Sequence, residues 1–130
     1  MLKPEWIDLS IDAQKNAYVP YSKFPVGAAL VAKDGTVIQG CNIENASFGL
    51  TNCAERTAIF KAVSSGIKEF QYLVISGNTP EPISPCGACR QVIAEFCDPD
   101  MPVTLVGHDK VQKHTTVEGL LPYMFTSKDL

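Results

Sequence analysis

Residues 70–106 read FQYLVISGNTPEPISPCGACRQVIAEFCDPDMPVTLV. The run Phe70–Ser76 centres on Tyr72, Leu73, Val74 and Ile75, a strand-length apolar block that predicts a strand. Gly, Pro and Ser crowd residues 77–85, which predicts a loop. Pro85 stands directly before a helix predicted over Cys86–Phe96, and Val103–Val106 forms the next strand. Strand, helix and strand in close succession favour parallel pairing through a right-handed crossover.

Upstream, Pro4 suits the first turn of a helix over residues 4–17, which carries Trp6, Ile7, Leu9, Ile11 and Ala13. Val26–Ala32 and Val37–Asn42 flank Asp34-Gly35, a hairpin signal. Residues 43–52 read as a loop. Thr51 and Asn52 are good cap residues for a helix over Cys53–Ser65, and Gly66 can end it. That helix is apolar on more than one face, so it is expected against a sheet. A short strand near 113–116 and a short helix near 117–121 complete the reading. The expected fold class is α/β. One domain, residues 1–130, holds a mixed sheet of an antiparallel hairpin plus parallel strands, with helices on both faces.

The 130 residues are 45% apolar, enough for a core that needs no disulfide staples. Net charge is −3 and no basic stripe is visible, the longest basic cluster being Lys110–Lys113. A small-molecule partner is therefore expected, with no nucleic-acid polymer. The N-terminal MLKPEWIDLS lacks the apolar region of a secretory signal, and no apolar run approaches the roughly 18 residues of a membrane span. A cytoplasmic protein without membrane contact is expected. In that compartment five cysteines, two of them in a C-x-x-C, read as metal binding or redox chemistry.

Cys86 and Cys89 lie three apart and share a helix face, and a helix N-terminus favours thiolates. A redox dithiol or two buried structural cysteines would give the same pattern. Cys53 begins another helix 33 residues earlier, and a third thiolate would complete a zinc set with an open fourth position. Cys41 and Cys97 read as small packing residues. Glu55 follows Cys53 by two residues, a spacing that reaches one site only at a helix end. There a carboxylate can carry the proton of a zinc-activated water. A solvent-facing Glu in a first helical turn is the plainer alternative. Three thiolates on one zinc leave a net charge of −1, which works against activating a water. Arg56 is expected to donate to the sulfurs and draw charge away, where the alternative is an ordinary surface arginine.

FPVGAAL, GCNIENASFG, NCAERTA and SPCGACRQ, spanning about Tyr21 to Glu95, closely resemble the small cytidine deaminases. Cys53-Ala54-Glu55 and Pro85-Cys86-Gly87-Ala88-Cys89 match the all-cysteine form of the zinc deaminase signature. The resemblance implies one Zn²⁺ per subunit on Cys53, Cys86 and Cys89. It implies that Glu55 deprotonates the water that attacks C4 and then protonates the ring nitrogen and the leaving amine, giving uridine and ammonia. It also implies that the Ala54 N–H orients the base, that Asn42 and Glu44 bind ribose, and that Phe24 lines the pyrimidine pocket. Phe125 resembles a C-terminal aromatic that reaches a neighbouring subunit's site in a homotetramer. Loop hydrogen bonding would equally suit Asn42 and Glu44, and a core role Phe24. His108 and His114 fall outside the motifs and read as surface residues.

The expected function is hydrolytic deamination of cytidine, and of deoxycytidine, in pyrimidine salvage. A related reading is a deaminase of blasticidin-type antibiotics. A thiol–disulfide protein would leave Cys53-Ala54-Glu55 unexplained, and a zinc-stabilised binding module would need a fourth protein ligand.

Overall fold

In the computed structural model, which describes residues 1–130, every residue of strand β1 (Val26–Ala32) after Val26 is buried. That strand therefore has protein on both of its faces. It turns into β2 (Val37–Cys41) through Asp34-Gly35. The Thr36 N–H donates to Asp34 Oδ1 at 2.9 Å, and Gly35 adopts a φ of 93°, a conformation that favours glycine. The expected hairpin is present, with its second strand ending at Cys41 rather than Asn42.

Strands β3 (Phe70–Gly77), β4 (Pro102–Val106) and β5 (Gln112–Thr116) complete a five-stranded sheet of order β2-β1-β3-β4-β5. β3 and β4 run parallel, as the strand–helix–strand succession favours; the other neighbours are antiparallel. The alternating side chains of this sheet divide two cores. Trp6 and Ile7 of α1 (Pro4–Ala13) pack with Ala29, Val31, Tyr72, Val74 and Val106 on one face. On the other, Ala28, Leu30, Leu73, Ile75 and Val103 meet Ala58 and Ile59 of α2 (Ala54–Ser64) and Ile93 of α3 (Gly87–Phe96). Helices therefore cover both faces. Gln71 is the extra residue of a bulge between β1 and β3, which turns Phe70 to the α2 side although Tyr72 faces α1.

The first helix is shorter than expected. It ends at Ala13 and tightens into a 3₁₀ turn at Gln14–Asn16, a common way for a last turn to close. The short strand and helix expected near the C-terminus are β5 and α4 (Val117–Leu120). One glycine fixes where α2 lies. A Cβ at Gly40 would come within 2.5 Å of the Ala54 carbonyl oxygen and the Ala58 nitrogen, so the bare backbone of β2 seats the first turn of α2.

Candidate metal centre

Helices α2 and α3 each begin one residue after a cysteine. Cys53 and Cys86 are the cap residues, both with extended backbone (φ −80°, ψ 161° and φ −71°, ψ 166°) and neither using its side chain as a cap. This corrects the expectation that Thr51 or Asn52 caps α2. Asn52 is instead held extended by reciprocal backbone hydrogen bonds with Ile43, each 2.9 Å, while its amide donates to Thr57 Oγ1 at 3.1 Å. With Cys53 and Cys86 as the caps, neither sulfur is used in capping its helix. Cys89, one turn into α3, adds a third, buried sulfur.

Sγ of Cys53 lies 3.9 Å from that of Cys86, which lies 3.3 Å from that of Cys89, and all three fall within 4.8 Å of one another. Thiolates at about 2.3 Å from a tetrahedral zinc stand roughly 3.8 Å apart, so the spacing fits. Cys41 and Cys97 are not part of the cluster. Cys97 belongs to the apolar core, and burial pushes its thiol up to about 12.

Glu55, in the first turn of α2, is only 3% exposed, which disposes of a solvent-facing role. Burial foremost raises its pKa above the ordinary carboxylate range, and the neighbouring charge of Cys53 adds to this. The Arg56 guanidinium places Nη2 at 3.4 Å from Cys53 Sγ and 3.5 Å from the Thr51 carbonyl oxygen. Ala54 is fully buried at the start of α2, where its N–H has no acceptor within the helix.

Asn42 and Glu44 fasten the loop that leads into β1. Asn42 accepts from the Val26 N–H at 2.9 Å and donates to the Phe24 carbonyl at 2.9 Å. Glu44 Oε1 accepts from the N–H groups of Tyr21 and Ser22, each at 3.1 Å. Hydrogen bonding with Ser22 first holds the Glu44 carboxyl below its usual range. Glu44, Tyr21, Ser22, Phe48 and Thr51 line a cleft of about 340 Å³, a volume within the usual range for small-molecule sites. Thr51 also accepts from Arg56 through its carbonyl, at 3.5 Å; Asn42, Phe24 and the three sulfurs do not line this cleft. Phe24 is half-buried beside Asn42. Phe125 is 57% exposed and lines no wall of this cleft. His108 and His114 are exposed and outside the cluster.

A family model described as the cytidine and deoxycytidylate deaminase zinc-binding region matches residues 2–105. The chain belongs to this deaminase family. A cytidine deaminase of Sporosarcina psychrophila is 59% identical over 118 residues, covering 91% of this chain and 87% of its own. The crystal structure of a cytidine deaminase from Burkholderia pseudomallei superposes with a TM-score of 0.93 at 47% identity, covering 96% of this chain and all of that one. A blasticidin-S deaminase of Bacillus cereus is more distant, at 36% identity over 81% of this chain and 79% of its own.

The three sulfurs of this deaminase stand close enough to share one cation. Hydrogen bonding from Cys89 first, then from Arg56 and Cys86, pulls the Cys53 thiol down to about 5. Hydrogen bonding with Cys53, followed by burial, pushes Cys89 far up. Without a metal one sulfur ionises at its neighbour's expense; a dication lets all three be anions. The donor set therefore fits zinc.

Two residues escaped the motif reading. For Thr51 the sequence suggests only a helix cap. Arg90 directly follows Cys89, and its guanidinium donates to the Pro85 carbonyl at 2.9 Å, the Leu120 carbonyl at 2.7 Å and Ser84 Oγ at 2.7 Å. Its partners are two backbone carbonyls and a hydroxyl; the Leu120 carbonyl lies 30 residues away, and no residue spacing announces it.

Proposed function

We propose that this chain catalyses the hydrolytic deamination of cytidine and deoxycytidine to uridine and deoxyuridine, releasing ammonia, as a step of pyrimidine salvage. The catalytic unit is the whole of residues 1–130. The observation that carries this reading is the buried Glu55 carboxyl on the same helix end as a three-sulfur cluster.

In the proposed reaction Cys53, Cys86 and Cys89 hold the zinc, which when bound supplies activation of a water. Glu55 accepts a proton from the attacking water. Its raised pKa suits a group that then gives this proton to the ring nitrogen and carries a second one, from the new hydroxyl on C4, to the amine, which leaves as ammonia as the C4 carbonyl forms. The Ala54 N–H orients the base, with Phe24 against the ring. Asn42 and Glu44 receive the sugar hydroxyls; Glu44 Oε1 serves the loop, and its second oxygen has no protein partner among the hydrogen bonds. Arg56 draws charge from Cys53 through its 3.4 Å contact.

The enzyme is further proposed to be a cytoplasmic homotetramer. Five free cysteines suit a reducing compartment, and no helix is long and apolar enough to cross a membrane. Tyr18, Tyr21, Ile43, Phe48 and Leu50 expose apolar surface near the cleft, the kind of patch that subunits bury. Phe125, exposed and outside its own cleft, is assigned to the site of a neighbouring subunit.

Following cytidine absorbance with purified protein, before and after chelation, tests the function. Loss of the 4-amino chromophore that stops on chelation is expected, with deoxycytidine also consumed and cytosine and cytidine monophosphate poor substrates. Turnover of blasticidin S in place of cytidine would select the antibiotic reading instead.

A further inference from the structure

Arg90 has no carboxylate within ion-pair distance; the three salt bridges of the chain lie elsewhere. Its charge is spent on neutral acceptors from two separate segments. Two of them, Ser84 Oγ and the Pro85 carbonyl, belong to the loop that ends at Cys86. The third, the Leu120 carbonyl, is the last residue of α4 and one of the acceptors a helix leaves without an intrahelical donor. The next residue repeats the grip: Gln91 Nε2 donates to the Phe125 carbonyl at 3.0 Å. The helix that carries Cys89 thus holds, through two consecutive side chains, both the loop before Cys86 and the segment after α4.

We propose that Arg90 is a positioning residue that locks the Cys86 loop to the C-terminal segment, so that zinc retention and the seating of residues 121–130 are one linked event. The inference rests on the zinc site proposed above. A planar guanidinium suits the task because its fixed fork meets three acceptors in different directions, whereas an ammonium is a single point of charge. The partners that hold a metal ligand in place commonly change metal affinity about 10–100-fold when lost. Linkage then requires reciprocity: if the seated segment favours bound zinc, bound zinc must favour the seated segment.

The test uses zinc-loaded full-length protein with two readouts, zinc transfer to a chromophoric chelator and hydrogen exchange of the amides in residues 121–130. In the wild type, stripping zinc is expected to speed exchange in this segment. Arg90→Gln is expected to lose zinc at least about tenfold more readily and to exchange fast in this segment whether loaded or stripped. Arg90→Lys keeps the charge but not the fork, and is expected to behave like Arg90→Gln. If Arg90→Gln fails to fold, Ser84→Ala removes one of the three contacts and is expected to shift both readouts together in the same direction. Wild-type zinc retention in folded Arg90→Gln, full rescue by lysine, or wild-type exchange indifferent to zinc each overturns the proposal. A wild-type chain that takes up no zinc overturns the metal centre beneath it instead.

Discussion

Arg56 illustrates how much a single side chain settles at this site. Its Nη2 stands 3.4 Å from Cys53 Sγ, while its Nε is buried without a partner. A buried N–H left unpaired is costly, so the guanidinium is held there by its remaining contacts with the sulfur and the Thr51 carbonyl. Removing it leaves the negative charge of three thiolates undiminished. A water beside that charge gives up its proton less readily. Arg56→Ala is therefore expected to weaken zinc binding about 10–100-fold and to move the ascending limb of the pH–rate profile to higher pH. Chelator competition and kcat/KM against pH measure both; an unchanged profile with unchanged affinity would reject the role.

At the scale of elements, the site depends on where two helices start. Gly40 has room for no side chain, because the backbone of Ala54 and Ala58 lies against it. Gly40→Ala is expected to push the first turn of α2 off β2, costing about 1–3 kcal/mol by overpacking and lowering zinc affinity as Cys53 moves. Denaturant melts and zinc titration of the same variant check the pairing of effects; a loss of stability with zinc affinity intact would separate Gly40 from the site. Here too lies the boundary of what the sequence could tell. The helices, the hairpin and the parallel β3–β4 pair followed from apolar runs and turn residues, which are local signals. The meeting of Cys53 with Cys86 followed from two helix starts and a motif. The identity of the caps did not, because Asn52 is held extended by Ile43, nine residues away in the chain. The Gln71 bulge and the contacts of Arg90 with Leu120 depend on tertiary pairing, to which no spacing corresponds. The sequence leaves loop hydrogen bonding open to Asn42 and Glu44, but does not show that their partners are the backbone of residues 21–26.

For the whole molecule, surface composition is the guide. Phe48 is 77% exposed and Leu50 71%, both beside the cleft, and Phe125 lies bare at the other end of the chain. Single exposed apolar residues are ordinary, but a group of five on adjoining loops is the kind of patch that a proposed subunit contact would bury. On the proposed assembly these surfaces close against neighbouring subunits and complete one another's sites. Sedimentation equilibrium is expected to give four chains per particle. Replacing Phe48 and Phe125 together by serine is expected to lower that number and kcat with it. A monomeric wild type with full activity would contradict the proposed assembly.

In the proposed reaction one residue, Glu55, carries the protons. Glu55→Gln preserves the shape of the first turn of α2 and removes the group that titrates, so zinc content, fold and activity can be compared in one preparation. The expected result is one zinc per chain, an unaltered circular dichroism spectrum and a fall in cytidine turnover of about 10²–10⁴-fold. Turnover close to that of the wild type, in a variant that still holds its zinc, would contradict the account.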